Sequence, residues 1–201
     1  PMTRLFPSLR AAALVVASLL IGEFDISLGT LLTDPVAREM FLISRVPRTL
    51  SLIFAGVAMA VSGVVMQMIT QNKFVEPTTA GTSQWAGLGI LAALLLAPNL
   101  GPMPKMLIAT AFAFVGTMLF VGVLRRISLE QQLVVPLVGI MLGAVVGAIT
   151  TFLAGTFDLL QSMSAWRSGG FSGIVRGFYE PLWAVVVIAV LVYALAHRFT
   201  V

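Results

Sequence analysis

The sequence predicts an all-α membrane protein, a polytopic helical bundle, and three observations carry that prediction. Hydrophobic residues make up 59% of the 201-residue chain and charged residues 10%, and the mean hydropathy is +1.03. An ordinary soluble domain is far more polar. Charges fall between long apolar runs: residues 49–72 carry none, and at ~1.5 Å per residue they cross a hydrocarbon layer of roughly 30 Å. Backbone groups in lipid must be bonded within the protein, and the alternating segments of a membrane barrel are missing, so the spans are helical.

The elements follow in order. Arg4 and Arg10 precede an apolar run, 11–22, and Glu23 and Asp25 follow it. No small-x-small cleavage pattern comes after, so a retained first helix is expected, not a signal peptide. Glu23, Asp25, Asp34 and Glu39 are assigned to a solvated loop.

A second helix is expected to start near Arg45-Val46-Pro47-Arg48. Pro47 suits a first helical turn, where its missing N–H costs nothing, and the arginines suit a water boundary. Inside it Gly56, Ala60, Gly63 and Gln67 fall at helical spacing, giving a narrow small face that ends in an amide. Close helix packing is the plain reading of that face. Lining of a transport pathway by Ser62 and Gln67 is the alternative.

Residues 73–83 are turn-rich, and the apolar stretch 85–97 is short for a span, so a partial or tilted helix beginning near Gly81 is expected. A loop is assigned to 98–104, which holds Pro98, Pro102 and Pro104. A fourth span covers 106–124 and stops at Arg125-Arg126, a cytoplasmic-style anchor. A fifth lies within 133–155, where Gly139, Gly143 and Gly147 share one face and predict a close contact. A short helix is expected over about 158–167, closed by Ser168-Gly169-Gly170, with Trp166, Phe171, Phe178 and Tyr179 as interfacial anchors. The sixth span is 181–196, ending at His197-Arg198.

The formal charge of +4 comes from twelve basic residues spread over all the connections, with no stripe of the kind that binds nucleic acid. With no cysteine, disulfides, thiolate zinc sites and iron–sulfur clusters are excluded. His197, the one histidine, reads as a boundary residue. No carboxylate pair, nucleophile set, phosphate loop or metal-ligand cluster is visible, so the chain reads as non-enzymatic and without a cofactor. Asp158 and Arg167 either pair across the short helix or stay solvated. With the N-terminus inside, Arg38, Arg45, Arg48, Lys105, Arg167 and Arg176 fall outside, half of the twelve basic residues. The positive-inside count is therefore even. Arg45 and Arg48 stand three apart at a helix entrance, suited either to lipid phosphates or to carboxylates of a partner.

Three segments carry a resemblance: Arg-Val-Pro-Arg-Thr-Leu at 45–50, Ala-Gly-x₅-Ser-Gly-x₃-Gln at 55–67, and Asn-x₃-Glu-Pro-x₂-Ala-Gly-x-Ser at 72–83. Together they resemble the FecCD-type permeases, the membrane subunits of ABC importers for iron–siderophore chelates, haem and vitamin B12. The family's usual Asn-Pro at the start of the third segment is Asn72-Lys73 here. Trp166-x₂-Gly169-Gly170-Phe171-x-Gly173 is similar to a segment between the family's fifth and sixth spans. The run 76–89 is closer to the catecholate-siderophore branch than to the B12 branch.

The resemblance implies a single transmembrane permease domain over 1–201, the N-terminal part of a longer chain, with about six spans of about ten. It implies a cytoplasmic N-terminus in the inner membrane, a second permease subunit, cytoplasmic ATP-binding subunits and an extracytoplasmic binding protein whose acidic residues dock on Arg45 and Arg48. It implies transport of a ferric siderophore, with haem or vitamin B12 as alternative cargo. From another class, a secondary transporter would place ionisable residues at mid-membrane, and the long spans have none.

Overall fold

The computed structural model describes residues 2–20, 29, 33–126, 134–170, 174 and 182–196. Every regular element among them is helical. Glu23, Asp25, Phe171, Arg176, Phe178, Tyr179, His197 and Arg198 lie outside the described residues. The helices are α1 (Met2–Leu20), α2 (Pro35–Met40), α3 (Val46–Thr70), α4 (Thr82–Leu96), α5 (Pro102–Leu124), α6 (Val134–Thr156), α7 (Leu160–Arg167) and α8 (Leu182–Ala196). The chain forms two compact units. One comprises Pro1–Ala58 with Gly170–Val201, the other Met59–Gly169.

Among the described residues, three segments are long and apolar enough to cross a membrane, Pro35–Met68, Pro102–Leu124 and Val134–Thr156; Leu9–Leu19, Thr82–Leu96 and Leu182–Leu195 are shorter apolar helices. Large apolar side chains are exposed along them, among them Leu107, Phe114, Ile140 and Phe152. That suits lipid or a neighbouring helix, not water.

Two boundaries correct the sequence reading. The stretch before Arg45 is helical, not a loop: the Asp34 carboxylate caps α2 by accepting from the Val36 N–H at 2.9 Å, with Pro35 in the first turn. Helical backbone then runs on through a π turn, Phe41–Arg45, into α3. Pro47 therefore sits inside a continuous helix, and the wider turn explains how. The Val46 N–H bonds five residues back to the Phe41 carbonyl, which loosens the ladder where a proline ring would crowd it. Likewise α5 begins at Pro102, within the assigned loop, because prolines in a first turn forfeit no intrahelical bond.

In the first unit, α1 and α8 pack on the first half of α3. The Ser18 and Thr49 hydroxyls are 3.1 Å apart, and the Phe54 and Trp183 rings meet edge-on at 4.7 Å.

The second unit is built around a non-helical turn. Gln71 takes a left-handed conformation, φ 50°, and the Asn72 N–H bonds back to the Gln67 carbonyl, closing α3 as a Schellman motif. Asn72 Oδ1 accepts from the Phe74 N–H at 2.9 Å. Glu76 caps a 3₁₀ turn, Pro77–Ala80, with a capping box to Thr79. Gly81, φ 75°, then opens α4.

This turn lies in the depth of the helices. Val75 and Ala80 are buried with Phe120 and Leu124 of α5 and Val135 of α6. The turn's far end reaches Gly139 and Gly143, about 8–14 Å along α6 at 1.5 Å per residue. A second core, of Ile90, Leu91, Ala109, Ala154 and Met163, joins α4, α5, α6 and α7.

Candidate functional site

Gly63 and Gln67 of the second signature segment meet the third segment within the second unit. Gly63 faces the Pro77 ring, where a Cβ would lie 3.7 Å from Cδ. One turn on, Gln67 Nε2 donates to the Val75 carbonyl at 3.3 Å. The amide is thus spent on holding the turn. Of the remaining small face, Gly56 has nothing within 4 Å of a Cβ position, and Ser62 and Ala60 are exposed.

The glycine face of α6 does make a close contact, and its partner is the turn with the start of α4. The Thr79 carbonyl occupies the place a Cβ on Gly139 would take. A Cβ on Gly143 would meet the Gln84 amide and Gly81 Cα at 3.4 Å, and one on Gly147 the Gln84 Cγ at 3.6 Å. Gly139 and Gly143 are buried. On α5, a Cβ at Gly116 would overlap the Trp85 indole, a constraint no periodicity signals.

The helix that follows the turn is short. At 15 residues, α4 covers only about 22 Å, less than the roughly 30 Å hydrocarbon layer. The turn ahead of it is buried at Val75 and Ala80 and exposed at Lys73, Phe74 and Glu76. Irregular backbone at such depth is tolerated only where protein satisfies it, and here caps, the Gln67 amide and the glycine seam do so.

The two signature arginines part company. Arg48 is exposed. Arg45 is 8% exposed and its Nη1 donates to the Leu19 carbonyl at 3.1 Å, tying α1 to the start of α3. The difference lies in the neighbour: α1 lies against Arg45 through the Leu19 carbonyl.

Two cavities flank α7, each about 390 Å³. Ser83, Gln84, Trp166 and Arg167 line the first; Thr150, Ser164, Arg167 and Ser168 line the second. Three of the hydroxyls lining the second cavity bond to their own backbone, Thr150 to Val146, Ser164 to Gln161 and Ser168 to Ala165. Asp158 and Arg167 are both exposed. Asp158 sits at φ 56° in a Schellman closure of α6, with the Leu159 N–H bonded to the Ala154 carbonyl at 2.8 Å. That is why α7 starts at Leu160 and not at Asp158. Sequence reading missed Gln84, whose signal is a lone amide one turn into an apolar helix. Among the described residues no cluster of three or more His, Cys, Asp or Glu could hold a metal.

The model of the FecCD transport family matches residues 10–201. The chain belongs to that family. This FecCD-family chain is 45% identical over 185 residues to the petrobactin import system permease protein FatD of Bacillus anthracis, covering 92% of the chain and 54% of that protein. It is 44% identical to the petrobactin import system permease protein YclN of Bacillus subtilis, over 93% of the chain and 60% of the relative. The vitamin B12 import system permease protein BtuC of Escherichia coli O9:H4 is 36% identical over 80% of the chain and 49% of the relative. A solved structure of a metal-chelate type ABC transporter in an inward-facing conformation superposes with a TM-score of 0.72 at 28% identity, over 95% of the chain and 60% of that structure. The FecCD chain thus spans about half to three fifths of the length of the relatives it matches.

Proposed function

We propose that this chain is the membrane-spanning permease part of a binding-protein-dependent ABC importer for a ferric siderophore. The observation that supports it best is the run of siderophore permeases among the relatives: the two petrobactin permeases match at 45% and 44% and a ferric-anguibactin permease of Vibrio anguillarum at 36% over 94% of the chain, where the B12 permease reaches 36% over 80%. On this reading residues 1–201 form one permease domain of the inner membrane with a cytoplasmic N-terminus. A second permease subunit completes the pathway, ATP-binding subunits hydrolyse nucleotide, and a loaded extracytoplasmic binding protein delivers the chelate. No covalent chemistry falls to this chain.

Docking is assigned to Arg45 and Arg48. The exposed Arg48 guanidinium offers a planar fork to a carboxylate of the binding protein, and Arg45, tied to α1, fixes the surface that presents it. The small positions Gly56, Ser62, Gly63, Gln67, Gly139, Gly143 and Gly147 divide on the same reading. Gly63, Gln67 and the α6 glycines hold the intramembrane turn, leaving Gly56 and Ser62 to face lipid or the second subunit.

The test is uptake of radiolabelled iron as a catecholate chelate in cells with and without the full-length gene, with ATP synthesis blocked in a parallel sample. Gene-dependent, energy-dependent uptake is expected. Uptake unchanged by loss of the gene would refute the siderophore assignment.

A further inference from the structure

We infer that the cavity between α4 and α7 is a station for the anionic oxygens of the transported chelate, with Arg167 selecting charge. The inference rests on the import role proposed above and adds to it what this part of the path prefers.

Its volume of about 390 Å³ falls in the range of small-molecule sites, roughly 300–1,000 Å³. Its polar lining is one-sided. The Arg167 guanidinium, the Trp166 indole and the Ser83 hydroxyl are all donors, and no carboxylate is among the lining residues. The remaining polar group is the Gln84 amide. Its Oε1 is buried with no hydrogen-bond partner and lies against Gly143, where a Cβ would stand 3.4 Å away. A side-chain amide carries both a donor and an acceptor end, so Gln84 adds polar capacity to the lining without fixing its sign.

A guanidinium with donor groups around it and no carboxylate beside it selects oxygen-rich anions, as rings of Arg and Lys do in anion pores. Catecholate and carboxylate oxygens fit this lining, and a guanidinium fork binds a pair of them in two parallel hydrogen bonds. A chelate with neutral hydroxamate arms gains much less. Arg167 also lines the second cavity across α7.

The experiment uses the full-length permease with its ATP-binding subunits in nanodiscs, without binding protein. Equilibrium binding of two radiolabelled probes is measured: iron as the anionic tris-catecholate and iron as the neutral tris-hydroxamate. Wild type is expected to prefer the catecholate. Arg167→Gln should weaken catecholate binding about tenfold or more, the scale of one charge-assisted hydrogen bond, and leave hydroxamate binding nearly unchanged. Arg167→Lys should restore most of the preference, and Gln84→Leu should weaken it in part. Equal binding of both probes by wild type, an unchanged preference in Arg167→Gln, or equal loss of both probes would each overturn the inference. Those outcomes leave cellular iron uptake intact, whereas failure of the import reading abolishes gene-dependent uptake with every chelate.

Discussion

At the scale of single residues, the glycines of α6 differ in what surrounds them, and that difference is measurable. Gly139→Ala places a methyl where the Thr79 carbonyl stands, so the turn must shift. Overpacking of that kind costs roughly 1–3 kcal/mol. A drop of several degrees in the detergent melting temperature of the full-length protein is expected. Gly56→Ala, which meets nothing within 4 Å, should leave the melting temperature unchanged. Equal effects of the two would contradict the seam. The arginines give a second contrast. Arg48→Glu should abolish capture of the binding protein in detergent while stability holds, and unchanged capture would sink the docking role. Arg45→Ala removes the donor to Leu19 and should lower stability by about 1–3 kcal/mol, the cost of stranding a buried group. Spacing alone showed that Gly139, Gly143 and Gly147 lie on one face. It was silent on the partner, because a turn arriving from 60 residues away leaves no mark on the local period of α6.

At the scale of elements, the turn 72–81 accounts for most of what the sequence left ambiguous. The short third span was legible from its length and from Gly81, and the structure starts α4 one residue later. The burial of Val75 and Ala80 in the turn before it was not, because hydropathy averages over a window and the turn is polar by composition. Its own stability is open to test. Glu76 caps the 3₁₀ turn and accepts the Thr78 hydroxyl at 2.6 Å, so Glu76→Ala should cost about 1 kcal/mol, as lost caps do, read as faster amide exchange over 77–84. No change in exchange would show that packing alone holds the turn. The start of α3 was misplaced for a related reason. Pro47 reads as a first-turn residue, and only the π turn before it, invisible to periodicity, lets the helix run through.

At the scale of the whole molecule, composition and charge spacing were sufficient for an all-helical membrane protein, and three signature segments were sufficient for the FecCD family. Division into two compact units was not legible, since apolar runs look alike whichever neighbours they pack on. Import of a ferric chelate is the central claim. Its most direct test places the full-length permease and its ATP-binding subunits in proteoliposomes and follows entry of radiolabelled ferric catecholate presented by the binding protein. Entry that needs both ATP and the binding protein is the predicted result. Entry driven by an ion gradient without ATP would contradict it and make the protein a secondary transporter.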